Sequence, residues 1–494
     1  MISAAIKRIT THSVGFSIGT ILTQAMGFFL IPIYTRFLTP ADYGILSIAS
    51  VVSAIFSILF FLGMRSAISR FYFDYNQDAK ELKEYLSTIT LTVLAVSISL
   101  TFLVFVFGKT FFSVISPEVP FYPYIFLVFL TAIFSIPINI AFIVIQVREQ
   151  SFTYSLINIL KFLLTTSAII LFVVFFHEGA LGSLLGQCII AGIFFFVGIT
   201  LLKKDIGFIF IADKLKESLT FGIFLMPHEL ASWTTNLIDR LFLSSYTTLT
   251  MVGVYSLGYQ FATILSVITT AINFAWVPFF MSTFQETGDQ AKPVIAQLTR
   301  YYVIVLMFFA LGITFFSKDV VLLITNPDYY PAISVIPIIV LAFVFDGLYY
   351  MVVTQLFMVK KTGYITISTV SAALLNIILN FLLIPHYGMM GAAVSTVISF
   401  GFSFCLVFYF SHTHFPIPYD YSRIGATILL GVIIFILSLG IPDGGIMADI
   451  ILKSGLIGLY LICLVLFGIL TRNEVFKILE YGINQINHVR LKKN

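Results

Sequence analysis

Seven charged side chains stand inside otherwise apolar runs of this chain: Arg36, Arg65, Lys161 and Arg240 on the positive side, Glu229, Asp239 and Asp346 on the negative. A charge near the centre of a membrane-spanning helix costs about 2.5–3.5 kcal/mol on insertion scales, so each is expected to face a cavity or a partner. An arginine grips phosphate or carboxylate through a planar fork, whereas a lysine acts as a point charge. Arg36, Arg65, Lys161 and Arg240 are therefore candidates for a cationic cavity lining. For Arg36 and Arg65 the plainer alternative is an interfacial arginine that snorkels to the headgroups. Lys161 lies about 10 Å deep at 1.5 Å per helical residue, among Ile159, Leu160, Phe162 and Leu163.

Glu229 follows Pro227 and His228. A proline inside a helix frees a backbone carbonyl and kinks the rod, and broken helices at mid-depth are where transporters bind ions. That makes Glu229 a candidate for coupling to a proton or sodium ion, with His228 tuning it. Asp346, between Phe345 and Gly347, is the second candidate. Asp239 and Arg240 are adjacent, and neighbouring helical residues point about 100° apart, so they are not expected to pair face to face. One would face the cavity and the other the opposite half, near Asp42, as a gate; the alternative is a static structural ion pair.

The elements that must position these groups follow from composition. Of 494 residues, 59% are hydrophobic and 10% charged, with 54 phenylalanines. Soluble domains run near 45–50% apolar and about 25% charged, so the natural solvent here is lipid. The three cysteines, each alone in an apolar run, and the seven histidines form neither a disulfide framework nor a zinc spacing. The apolar run after Lys7 and Arg8 lacks a small-residue cleavage site and is expected to be a first transmembrane helix.

A span needs about 20 predominantly apolar residues. On that criterion the sequence predicts an all-α polytopic protein of fourteen spans, the first over 13–35 and the seventh over 219–243. Of the 27 basic residues, Lys161 and Arg240 fall inside spans. The odd-numbered connections carry only Arg36, Lys109, Lys318 and Lys453, and all others lie in even-numbered connections or tails. By the positive-inside rule both termini are cytoplasmic.

The first twelve spans read as two copies of one plan, offset by 209 positions. Gly44-Ile45-Leu46-Ser47 recurs as Gly253-Val254-Tyr255-Ser256. His177-x-Gly179-x-x-Gly182 recurs as His386-x-Gly388-x-x-Gly391. Six spans per copy make a parallel pseudo-repeat, two lobes expected to rock about an axis along the membrane normal. The predicted units are an N-lobe at 1–204, a cytoplasmic amphipathic linker at 205–218, a C-lobe at 219–415, spans 13 and 14 within 416–472, and a cytoplasmic tail at 473–494. The basic end of the tail (Arg490, Lys492, Lys493) is expected to meet anionic lipid.

Several segments resemble one family. Pro32-Ile33-Tyr34-Thr35-Arg36-Phe37-Leu38-Thr39-Pro40-Ala41-Asp42-Tyr43-Gly44 is similar to the first-loop signature of bacterial polysaccharide repeat-unit flippases, and Ser69-Arg70-Phe71-Tyr72-Phe73-Asp74-Tyr75 to the segment after their second span. Pro227-His228-Glu229 with Trp233 and Asp239-Arg240, and Trp276-Val277-Pro278-Phe279, add two further matches. The resemblance, to the Wzx-type polysaccharide transporters of the multidrug/oligosaccharidyl-lipid/polysaccharide exporter superfamily, covers essentially the whole chain. It implies a cargo of undecaprenyl-pyrophosphate bearing a short oligosaccharide, a precursor of O-antigen, capsule or exopolysaccharide. That cargo would move from the cytoplasmic to the periplasmic leaflet of the bacterial inner membrane, and its pyrophosphate would call on the cations above. The resemblance also implies a central cavity between two lobes, and a groove for the lipid tail at spans 13 and 14.

The expected drive is a proton or sodium gradient or the membrane potential, with no other cofactor and no metal. The expected partners are the lipid-linked oligosaccharide, membrane lipids, and a polysaccharide polymerase with its chain-length regulator. Nucleic acid is not expected, and the protein is expected to be a monomer and not an enzyme. Two rival readings predict other features. A membrane-embedded polymerase or glycosyltransferase would need paired acids or a large periplasmic loop, and an ion-coupled multidrug exporter an acidic cavity and twelve spans.

Overall fold

A computed structural model describes residues 28–440, 445–471 and 473–474. The start of the first predicted span, the turn around Asp443 and the basic tail end at Arg490, Lys492 and Lys493 lie outside the described residues. Helices carry the described chain. In order they are α1 (Ile31–Phe37), α2 (Pro40–Phe61), α3 (Met64–Tyr75), α4 (Ala79–Ile115), α5 (Phe126–Phe134), α6 (Ile136–Val147), α7 (Ser151–Ile170), α8 (Gly179–Leu202) and α9 (Ala212–Ile223). They continue with α10 (Met226–Tyr246), α11 (Leu249–Thr287), α12 (Ala291–Ile324), α13 (Ile336–Met358), α14 (Gly363–His414), α15 (Tyr421–Ser438) and α16 (Ile446–Leu466). Ten continuous helical stretches among them are long and apolar enough to cross a membrane. Two run well past one crossing: Leu249–Ile324 has 76 residues and Gly363–His414 has 52. Phe102, Phe105, Phe107 and Phe111 stand exposed along α4. So much outward-facing apolar surface is stable only against lipid, and the chain is a multi-pass membrane protein.

Local chemistry explains the breaks. Thr39 and Asp42 close a capping box at the start of α2, with Pro40 in its first turn. Leu62 and Gly63 are both left-handed, which ends α2 and turns the chain into α3. Gly388, at φ +53°, breaks α14 into two arms. The arms are joined by polar side chains: Asn380 donates to Asn376 at 2.9 Å and Asn376 to Ser399 at 3.2 Å. The basic residues assigned to odd-numbered connections need correction. Arg36, Lys109, Lys318 and Lys453 all lie within helices.

The chain packs as two compact units. One joins Met1–Trp276 to Val321–His414, and the other joins Val277–Val320 to Phe415–Asn494. In the second unit, Lys453 of α16 reaches Asp319 of α12 at 2.6 Å and Asp449 at 3.7 Å. Near its other end Glu474 takes hydrogen bonds from Arg300, Tyr301 and Thr471. Burial opposes ionisation of Glu474, but those donors prevail and hold its carboxyl at about 2.

In the first unit the linker is pinned by polar contacts. Arg148 pairs with Asp205 at 2.7 Å, Lys214 with Glu84 at 3.1 Å, and the Gly207 amide donates to Ser87 at 2.7 Å. The paired Asp205 carboxylate, working against burial, raises the pKa of the Arg148 guanidinium. The linker helix α9 runs on to Ile223, and α10 starts afresh at Met226. Pro227 therefore sits in the first turn of α10 instead of kinking a continuous span, since its missing N–H costs nothing there.

The duplicated motifs meet each other. An added Cβ on Gly44 would lie 2.1 Å from the Leu249 carbonyl oxygen, and one on Gly253 would lie 1.9 Å from that of Pro40. Ser47 and Ser256, 209 positions apart, share a hydrogen bond of 2.6 Å. Contacts in which residue i meets j and j's equivalent meets i's are the mark of a two-fold relation. Smaller details repeat as well. Thr39 caps the Asp42 amide at 3.2 Å and Thr248 caps that of Met251 at 3.3 Å. Asp42 packs on Gly179 as Met251 packs on Gly388, and both glycines have positive φ.

Candidate functional site

Between the two copies lies a chamber of about 640 Å³. Its walls come from α1, α2, α5 and α8 of the first copy and from α10 and α11 of the second. The Ser47–Ser256 bond of 2.6 Å ties α2 to α11 on its wall. On α2 the wall is a hydroxyl stripe, Ser47, Ser50, Ser53 and Ser57, whose spacing of three to four residues keeps all four on one helical face. Gln187 faces them from α8 and Gln260 from α11, with the rings of Tyr34, Tyr43 and Tyr259 between. Tyr34 and Ser183 are hydrogen-bonded at 2.9 Å.

Arg240 is the charged residue on this wall among those described. Its guanidinium reaches back to Asp239 at 2.7 Å, and both side chains are buried, at 6% and 2% exposure. The residues thus form the static ion pair that is the alternative to a gate: the Cβ vectors diverge, but the long arginine side chain curls back over one peptide. Tyr255 donates to the other Asp239 oxygen, and the Tyr259 ring lies 3.9 Å from the guanidinium. Asp42 is not the partner of this pair. It is engaged by Thr39 at 2.7 Å and by the Ala180 amide at 3.4 Å.

A second cavity of about 520 Å³ adjoins the first along Ala54, Ser57 and Leu237, which line both. It brings Arg65, His228 and Glu229 onto one wall. Arg65 donates to Ser57 at 2.6 Å and its guanidinium lies 4.3 Å from the Phe61 ring. His228 bonds Thr369 at 3.0 Å. Glu229 is in the first turn of α10. That helix alone is about 31 Å long at 1.5 Å per residue, so Glu229 stands near its end.

The remaining candidates stand apart. Arg36 is exposed on the last turn of α1, and Lys161 is half-buried on α7. Asp346 is half-buried midway along α13, within electrostatic reach of Tyr259, Tyr349 and Tyr350. None of these three lines either cavity. A search for charges misses the serine stripe, although its spacing in the apolar run 47–57 is a usable signal. Among the described residues no three of His, Cys, Asp and Glu gather to hold a metal ion.

Comparison with known proteins places this architecture. The family described as "Polysaccharide biosynthesis protein" matches residues 13–284. Among relatives, the chain is 24% identical to the Haemophilus influenzae Lsg locus putative protein 1 over 304 residues, 60% of this chain and 70% of that one. It is 25% identical to the probable low-salt glycan biosynthesis flippase Agl15 of Haloferax volcanii over 196 residues, 39% of this chain and 40% of that one. A Haemophilus influenzae membrane protein is 24% identical over 56% of this chain and 66% of its own length. The lipid II flippase MurJ in its inward closed conformation superposes with a TM-score of 0.71 at 15% identity, covering 90% of this chain and 97% of that one. An inward-facing multidrug resistance MATE family transporter of the MOP superfamily gives 0.64 at 13% identity, over 84% and 98%. The fold is thus one shared with solved structures of a flippase and a transporter. The chain belongs to the family described as "Polysaccharide biosynthesis protein".

Proposed function

We propose that the protein moves an undecaprenyl-pyrophosphate-linked oligosaccharide repeat unit across the bacterial inner membrane by alternating access. The observation that carries this reading is the hydroxyl- and amide-bearing chamber walled by both copies and bridged by their paired motifs. A soluble head group needs such a compartment, while the polyprenyl tail can stay in lipid.

On the orientation given by the basic residues, both termini are cytoplasmic and the Gly44–Gly253 contact is periplasmic. Each of the two over-long helical stretches then crosses twice, α10 supplies a further span, and with the first span the count is fourteen. The pyrophosphate would dock at the cavity holding Arg65, nearer the cytoplasm, with the sugars in the chamber beyond. Parting of Gly44 from Gly253 would release them. Asp346 and Glu229 remain the carboxylates available for a coupling proton or sodium ion.

Reconstitution into liposomes with a fluorescent undecaprenyl-pyrophosphate oligosaccharide tests the reading. Transfer between leaflets should exceed the spontaneous rate, and Arg65→Ala should slow it about tenfold, the worth of one partly solvated charged hydrogen bond. Wild-type transfer at the spontaneous rate would sink it.

A further inference from the structure

Resting on the flippase reading, we infer that the chamber is built for uncharged sugars and discriminates against acidic ones. The argument is electrostatic. The cation on the chamber wall, Arg240, is already answered. Asp239 holds it at 2.7 Å, and the Tyr259 ring covers it at 3.9 Å. Tyr255 in turn donates to Asp239. Neither charge of this pair calls for a ligand. The rest of the wall is uncharged, made of hydroxyls, carboxamides and apolar side chains such as Leu46, Val128 and Leu184. Arg65 lines the neighbouring cavity, where the proposed pyrophosphate would occupy it, and meets this one only through its hydrogen bond to Ser57 at 2.6 Å. Residues 9–35, which include the rest of the first predicted span, contain no Asp, Glu, Lys or Arg that could add a charge.

A carboxylate drawn into such a space loses its hydration and gains no free cation, a net penalty. A neutral sugar meets what it needs. Its hydroxyls both donate and accept, and so do those of the serine stripe. Among the described residues, Ser53 and Gln260 commit no side-chain hydrogen bond to the protein, which leaves them for a ligand. The apolar face of a pyranose can lie on the rings of Tyr34 or Tyr43. A volume of about 640 Å³ is ample for a short oligosaccharide by the usual size of small-molecule sites.

The experiment compares two undecaprenyl-pyrophosphate disaccharides in proteoliposomes, identical except that the terminal residue is glucose in one and glucuronate in the other. The glucose probe should cross about tenfold faster or better, equivalent to a penalty of about 1.4 kcal/mol or more for the unpaired charge. Gln187→Lys, which adds a free cation to the wall, should narrow that gap by raising transfer of the glucuronate probe. Equal rates in the wild type, or faster transfer of glucuronate, would overturn the charge selectivity and leave the flippase reading standing. Transfer of neither probe would overturn both. The wild-type comparison decides the matter even if the lysine variant fails to fold.

Discussion

Gly44→Val should cut cargo transfer by between about 5-fold and 150-fold while leaving the protein folded and in the membrane. An added Cβ at this position falls 2.1 Å from the Leu249 carbonyl oxygen and 3.3 Å from the Gly253 nitrogen. Backbone atoms cannot swing aside as a side-chain tip can, so α2 and α11 must separate. Overpacking of this kind costs about 1–3 kcal/mol. Charged against one state of a two-state element, that shifts the population about 5- to 150-fold. A state in which these two backbones part would escape this strain. Gly253→Val, the equivalent change, should behave alike, because its Cβ meets the Pro40 oxygen at 1.9 Å. Gly425→Ala is the control, since nothing lies within 4 Å of its Cβ. Ser50→Cys, in a background lacking Cys188, Cys405 and Cys463, reports the state directly through a membrane-impermeant thiol reagent. Labelling unchanged by Gly44→Val, together with wild-type transfer, would show that the glycine contact is not a gate.

The second large effect is on stability. Asp239→Asn leaves the Arg240 guanidinium buried at 6% exposure with its compensating charge gone. Breaking a buried pair from one side costs on the order of 3–5 kcal/mol, whereas replacing both members by apolar residues of similar volume is often neutral. Thermal unfolding in detergent should therefore show a drop of several degrees for Asp239→Asn, and recovery of most of it for Asp239→Leu combined with Arg240→Met. A single variant that melts with the wild type would mean that the pair is solvated and its charge available. That result would also remove the ground for a neutral chamber.

Much of this protein is legible in its amino-acid sequence, and the parts that are not share a cause. The duplicated glycine motifs, the turn chemistry and the apolar spans are local patterns. Each acts through the few residues around it, so each survives reading in one dimension. Gly63, Gly179 and Gly388 take positive φ at breaks between rods, as such turns require. Side-chain partnerships are less accessible. Helical geometry sets the Cβ directions of Asp239 and Arg240 and makes them diverge, but the torsions of a long side chain decide where its end goes. Pro227 reads as a kink in a mid-depth helix, yet the rod ends at Ile223 and begins again at Met226. Glu229 therefore stands in the first turn of a fresh helix and not beyond a kink in a continuous one.

By itself the amino-acid sequence determined that the solvent is lipid, that the chain is helical, and that one plan is used twice. Composition and periodicity are properties of segments, and the bilayer leaves a backbone few other ways to satisfy its hydrogen bonds. The tertiary structure alone decided that the two copies of Gly-x-x-Ser face each other. It also decided that four serines share one wall with tyrosines and glutamines, and that the cation among them is already paired. How far each helix turns about its axis depends on neighbours that can be hundreds of residues away. Ser47 meets Ser256 across 209 positions, a separation at which no local pattern can say which faces will touch.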